Sequence, residues 1–224
     1  MTVKIVDHPL IQHKMTRLRK TDTDSKMFRE LVGEVTELLA YEATRSLHTI
    51  PIDVNTPMGD CKGATLKSDK IVIAPILRAG LGMVQGMLNL MPMASIAHIG
   101  LYRDETTFEP KIYYQSMPRA LENATIFIVD PMLATAGSMS AAIDLVKKAN
   151  PAEIISIALI AAPEGKERVE KDHPDVNVVV GAMDEHLNEN DYIVPGLGDA
   201  GDRMFGSYKI EARARDHKKP EDKV

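Results

Sequence analysis

Between residues 21 and 47, Phe28, Leu31, Val32, Val35, Leu38, Leu39 and Ala43 recur at three-to-four spacing, which predicts one long amphipathic helix. Asp24 or Ser25 stands where its N-cap is needed. Further along, the apolar segments become short, rich in β-branched residues and separated by Gly, Pro or charge: 70–77, 94–102, 124–130, 153–162 and 176–182. These predict strands, several of them buried on both faces. Helical patterns fill the gaps at 80–90, 137–149 and 163–171. Strands alternating with helices imply an α/β fold built on a largely parallel sheet.

The alternation breaks at 103–121, a polar segment with Tyr113 and Tyr114 between charged turns, which reads as a hairpin or flap projecting from the sheet. The end, 211–224, is a charged run with few apolar residues and reads as a solvated tail. Length then limits the organisation: 224 residues, 44% hydrophobic and 26% charged, suit one full domain that stays folded without disulfide or structural metal. The single cysteine, Cys61, fits a reducing compartment, and the cytoplasm is the expected location. The longest nearly unbroken apolar stretch, 154–162, falls far short of the roughly 20 residues of a membrane-spanning helix. A net charge of −5 is the wrong sign for a chain devoted to coating nucleic acid.

Chemistry concentrates at 126–140, IFIVDPMLATAGSMS. A buried strand ends in Asp130, a loop of small residues follows, and a helix begins near Gly137 with Thr135 and Ser138 at its mouth. Such a helix start can hold a phosphate on its backbone N–H groups while the hydroxyls add donors and Asp130 accepts from sugar hydroxyls. The same pattern also fits an ordinary strand-to-helix turn capped by Thr or Ser. No G-x-x-x-x-G-K-[ST] run occurs, which disfavours a P-loop nucleotidase.

Gly196, Gly198 and Gly201 spell G-x-G-x-x-G, yet no strand-helix unit fits after them, so a dehydrogenase reading is weak. In YIVPGLGDAGDRMFG at 192–206 the glycines instead let backbone groups approach a flat base, or simply form a surface loop. In IVIAPILRAGLG at 71–82 a strand runs into Arg78, whose planar fork suits pyrophosphate or a surface carboxylate. Arg103, beside Asp104 and Glu105, has the same two readings. The seven histidines show no metal-ligand spacing and no serine sits in a G-x-S-x-G elbow.

Taken along the chain, VDHPLIQHKMTRLR, APILRAGL, GLYRDET, IVDPMLATAGS and YIVPGLGDAGDRMFG resemble the uracil phosphoribosyltransferases over nearly the whole sequence. The resemblance implies a type I-like phosphoribosyltransferase fold over 1–224, a parallel sheet flanked by helices. It would carry a β-hairpin flap at about 103–121 and a small uracil-binding hood at about 183–206. The implied reaction moves a ribosyl phosphate from 5-phospho-α-D-ribose 1-diphosphate (PRPP) to uracil, giving UMP and diphosphate. By position, Asp130, Pro131, Met132, Leu133, Ala134, Thr135, Ala136, Gly137 and Ser138 would form the phosphoribosyl loop. Asp130 would meet the ribose hydroxyls, and 135–138 the 5′-phosphate. Arg78 and Arg103 would bind pyrophosphate. Ile193 and the backbone of Gly198, Asp199 and Ala200 would read uracil, while the Asp199 carboxylate would face PRPP and its Mg²⁺, an ion held mainly through PRPP. The flap would close over the site and exclude water.

Pro131 after Asp130 agrees with the uracil branch rather than the purine and orotate branches, which carry two adjacent acids there. Ala136 departs from it, since the family usually has glycine at this place. If position 136 takes a positive φ, alanine costs on the order of 1 kcal/mol and its methyl crowds the phosphate. PRPP would then bind less tightly than to an Ala136→Gly variant. Family likeness also raises a homodimer or homotetramer and regulation by GTP or CTP. Arg17, Arg19 and Lys20 are candidates for the nucleotide, although a solvated basic turn is the simpler reading. A pyrimidine regulator that binds RNA on the same fold, and an enzyme for another base, are the competing functions.

Overall fold

The computed structural model describes residues 3–68, 70–103, 110–118 and 121–206, with Arg103 described by its backbone alone. The first elements are strand β1 (Val3–Ile5) and helices α1 (Pro9–Arg19) and α2 (Ser25–Ala43). His8 caps α1 by accepting from the Leu10 N–H at 3.1 Å, and Asp24 caps α2 by accepting from the Met27 N–H at 2.9 Å. The α2 stripe is buried as its spacing predicts, but the helix ends at Ala43 and a short 3₁₀ turn carries the chain to Leu47.

An antiparallel hairpin, β2 (Thr49–Thr56) and β3 (Gly59–Leu66), stands apart from the main sheet. None of the strands predicted from sequence covers it, although Ile50, Ile52 and Val54 alternate before a Pro-Met-Gly turn. Strand β4 (Ile71–Leu77) and helix α3 (Leu81–Leu90) follow, then short β5 (Ser95–Ile96), β6 (His98–Arg103) and β7 (Pro110–Ser116). After these come β8 (Thr125–Val129), β9 (Met132–Leu133), α4 (Gly137–Lys147), β10 (Glu153–Ala161), α5 (Pro163–Asp172) and β11 (Asn177–Met183). The last elements are β12 (His186–Leu187), β13 (Ile193–Val194) and α6 (Ala200–Phe205).

The main sheet runs β1-β11-β10-β8-β4-β6-β7 and is parallel except at β6–β7. Only the second arm of that pair lies well inside the predicted hairpin at 103–121; the first coincides with the predicted strand 94–102 and also belongs to the core sheet through Ile99 and Gly100 on β4. Flap residues 104–109 and 119–120 and the tail at 211–224 lie outside the described residues.

Residue parity assigns the two faces. Ile71 and Ile73, Phe127 and Val129, and Ile155, Ile157 and Leu159 join a cluster with α1, α2 and α3. Val72, Ala74 and Ile76, Ile126 and Ile128, and Ile154 and Ala158 join one with α4, including Met139, Ile143 and Val146. Both faces are therefore apolar, as a strand sandwiched between helix layers requires. Gly86 lets α3 cross α2 closely, since a Cβ there would overlap the Gly33 carbonyl oxygen. The carboxyl ends of β4 and β8 open together into a crevice, where ligands bind in such sheets.

Candidate active site

Three loops meet at this end of the sheet. The first leaves β8 at Asp130, whose N–H donates to the Ile157 carbonyl at 3.2 Å. Leu159 and Ile160 donate to the Pro131 carbonyl at 3.1 and 3.2 Å, and Met132 and Leu133 resume pairing with β10. The loop is thus anchored by strand hydrogen bonds up to Leu133. Ala134 and Thr135 then lead to Ala136, the N-cap of α4, at φ 60° and ψ 5°. The positive φ anticipated for this position is present. Ala136, rather than Thr135 or Ser138, occupies the cap position, and its methyl offers no cap hydrogen bond. Its first turn, with Gly137 and Ser138, presents backbone donors toward the crevice mouth. The Ala136 methyl is buried in the α4-side apolar cluster.

Helix α5 supports this loop from beneath. Gly165 approaches so closely that a Cβ would overlap the Ala134 carbonyl oxygen. Arg168 Nη1 donates to the Thr135 carbonyl at 3.4 Å, adding a positive charge beside the start of α4. Nothing in the sequence marks Arg168, because only folding brings α5 to the loop.

The second loop carries Arg78 past a cis Leu77–Arg78 peptide. Its side chain is exposed and lies 4.0 Å from Asp202 of α6. Gly80 fits under the turn where a Cβ would come 2.5 Å from the Val129 carbonyl oxygen.

The third loop runs from β13 into α6. Val194–Pro195 is cis, and Gly196 and Gly198 take φ 64° and 76°. Gly201 instead lies in the first turn of α6, so the three glycines form no dinucleotide-type strand-to-helix turn. Ile193 and Ala200 are buried. Asp199 caps α6, its Oδ1 accepting from the Asp202 N–H at 2.8 Å. A cavity of about 370 Å³ borders this loop, lined by Thr21, Pro195, Leu197, Gly198 and Asp199 among others. A larger one of about 780 Å³, lined by His48, Lys67, Asn123 and Glu153, lies at the amino ends of β8 and β10, remote from these loops.

Electrostatics tie the first and third loops together. Burial pushes the Asp130 carboxyl up to about 7, the Met132 N–H opposes this, and the negative charge of Asp199 raises it further. Two carboxylates distant in sequence therefore sense each other across the crevice.

The uracil phosphoribosyltransferase family model matches residues 5–207. The chain belongs to the uracil phosphoribosyltransferase family. A uracil phosphoribosyltransferase of Agathobacter rectalis is 54% identical over 205 residues, spanning 92% of this chain and 98% of the relative. One of Malacoplasma penetrans is 55% identical over 203 residues, with 91% and 98% covered. A solved structure of an Aquifex aeolicus protein superposes with a TM-score of 0.87 at 39% identity, covering 91% of this chain and 98% of that one. The sheet with helices on both faces is the phosphoribosyltransferase fold.

Within that family frame, Asp130 to Ser138, Arg78 and Asp199 stand on the three neighbouring loops: Asp199 acts on Asp130 through its charge, and Arg78 lies 4.0 Å from Asp202. Ile193 and Gly198 to Ala200 occupy the adjoining loop. The Arg103 side chain lies outside the described residues; its backbone pairs with Pro110. Arg19 is not part of a solvated basic turn, since it forms a two-pronged pair with Asp184 at 2.6 and 2.7 Å. Asp184 and Arg203 were missed in sequence. Asp184 follows β11 as Asp130 follows β8, so a carboxylate ending a buried strand was the available signal.

Proposed function

We propose that the chain transfers a ribosyl phosphate from PRPP to uracil, giving UMP and diphosphate. What supports this reading is the Asp130 loop, where a half-buried carboxylate leads into the alanine-capped start of α4 and feels the charge of Asp199. The 5′-phosphate takes the N–H groups and hydroxyls of 135–138, and Asp130 accepts from the ribose hydroxyls. As the bond to diphosphate breaks, negative charge builds on the leaving group and positive charge on the sugar. Arg78 and Arg103 hold the first, while Asp130 and Asp199 stabilise the second. Ile193 and the Gly198 to Ala200 backbone orient uracil for attack, and no covalent nucleophile is required.

Mg²⁺ would be carried mainly by PRPP oxygens, with the Asp199 carboxylate facing it. When bound, the ion neutralises the diphosphate charge. We further propose a cytoplasmic homodimer or homotetramer in pyrimidine salvage, open to GTP or CTP regulation, with the flap at 103–121 shielding the activated sugar from water.

The test is UMP and diphosphate formation from uracil, PRPP and Mg²⁺, run with and without GTP. Turnover falling by about 100-fold or more in Asp199→Asn supports the reading. Absent turnover under both conditions, with PRPP still bound, overturns it in favour of an RNA-binding regulator or another base.

A further inference from the structure

The loop proposed to read uracil is held from outside by the end of the N-terminal helix. Arg19 Nη1 donates both to Asp184 at 2.7 Å and to the Gly196 carbonyl at 2.8 Å, while Arg19 Nη2 donates to the other Asp184 oxygen at 2.6 Å. The Gly196 N–H donates to Asp184 at 2.8 Å. Both backbone groups of Gly196 are therefore held by one ion pair, and the Asp184 side chain is only 5% exposed. Gly196 in turn lies against the Ile193 carbonyl, which a Cβ at 196 would overlap.

A second arginine fastens the other side. Arg203 donates to the Leu197 carbonyl at 2.7 Å and to the Leu18 and Lys20 carbonyls at 2.5 Å, with its guanidinium 4.3 Å above the Phe28 ring. Residues 196 and 197 are thus each tied to the segment 18–20 by a guanidinium. Charged, bidentate bonds of this kind fix orientation as well as adding energy.

We propose that Arg19 and Asp184 are positioning residues for the base: by clamping Gly196 they fix the Ile193 carbonyl and the approach to Gly198, and so set uracil affinity without touching uracil. This rests on the reading of Ile193 and Gly198 to Ala200 as the uracil-binding groups. Neither Arg19 nor Asp184 contacts the phosphoribosyl loop in the hydrogen bonds described, so the effect falls on the base rather than on PRPP.

The experiment compares the full chain with Asp184→Asn and Arg19→Lys. Amide exchange over 194–199 is expected to quicken about ten-fold in Asp184→Asn, reflecting the lost bond to a charged acceptor. This readout does not depend on turnover. In steady state, uracil KM is expected to rise about ten-fold, with kcat and PRPP KM within about two-fold of wild type. Arg19→Lys keeps the charge but loses the fork, and a rise of about three-fold is expected. Should Asp184→Asn fail to fold, Arg19→Lys carries the comparison alone. An unchanged uracil KM, or an equal rise in PRPP KM, overturns the positioning role, as does unchanged exchange. A wild-type chain that turns over no uracil overturns the proposed activity instead, and exchange then decides the clamp.

Discussion

Ala136 shows how one residue divides its effects between folding and binding. Its left-handed conformation costs alanine about 1 kcal/mol relative to glycine. Its methyl, however, is buried among apolar neighbours, worth about 0.8 kcal/mol, and glycine would add about 0.4–1 kcal/mol of unfolded-state entropy. These terms nearly cancel, so Ala136→Gly is expected to change unfolding free energy by less than about 1 kcal/mol in denaturant titration. The weaker PRPP binding expected from the sequence is therefore revised: the strain is already met in the free fold and the methyl lies in the apolar cluster, so PRPP affinity is expected to shift by less than about three-fold by calorimetry. A ten-fold gain for the glycine variant would show instead that the methyl crowds the phosphate. Asp130 gives a pH signature. Its folded value near 7 lies above the ordinary 3.8, so the folded state holds an extra proton between these values. This group therefore makes the free protein lose stability as pH rises from about 4 to 7. Asp130→Asn removes that loss. Its denaturation midpoint is expected to exceed wild type at pH 8 and approach it at pH 4, while turnover falls by about 100-fold or more. A wild type more stable than the variant at pH 8 would refute the buried-charge account. Asp130 and Arg78 were legible because strand ends expose chemistry at fixed places. Arg19 was misread because its partner stands 165 residues away.

Among the elements, the central strands β4, β6, β8, β10 and β11 and the helices α3, α4 and α5 were legible to within a few residues, since burial on two faces leaves unbroken β-branched runs, whereas edge strand β1, two-residue β9 and helix α1 were not. The hairpin of β2 and β3 was not, because its side chains are mostly exposed and no core rewards its alternation. Nor did the pattern reveal that β6 serves two roles, as core strand and flap arm, because one apolar run satisfies both. Helix α5 shows what sequence cannot give: it meets the 130–138 loop through Gly165, a contact made only in three dimensions. Gly165→Ala is expected to destabilise by about 1–3 kcal/mol, since the overlapping atoms are backbone carbonyls that cannot rotate away. The displaced loop is expected to raise PRPP KM more than uracil KM. Unchanged PRPP KM with normal stability would show that α5 tolerates the methyl.

At the scale of the molecule, light scattering is expected to return twice or four times the 24.7 kDa of one chain, and a mass of one chain would remove the oligomer from the proposal. The two ends of the chain also meet twice. Strand β1 pairs with β11 at the sheet edge, and residues 18–20 are joined to 196, 197 and 203. During synthesis on the ribosome, Arg19 therefore emerges long before its partners, which follow 165 and 177 residues later. A nascent chain can pack α2 against α3 from nearby sequence, yet the segment 193–200 gains its full fastening to residues 18–20 only once residue 203 has emerged. Such long-separation contacts form late because closing them costs the most chain entropy. On the proposed reading, competence for the base therefore waits for residues 184–203, and a product truncated before residue 196 would hold the central strands without the loop proposed to select the base.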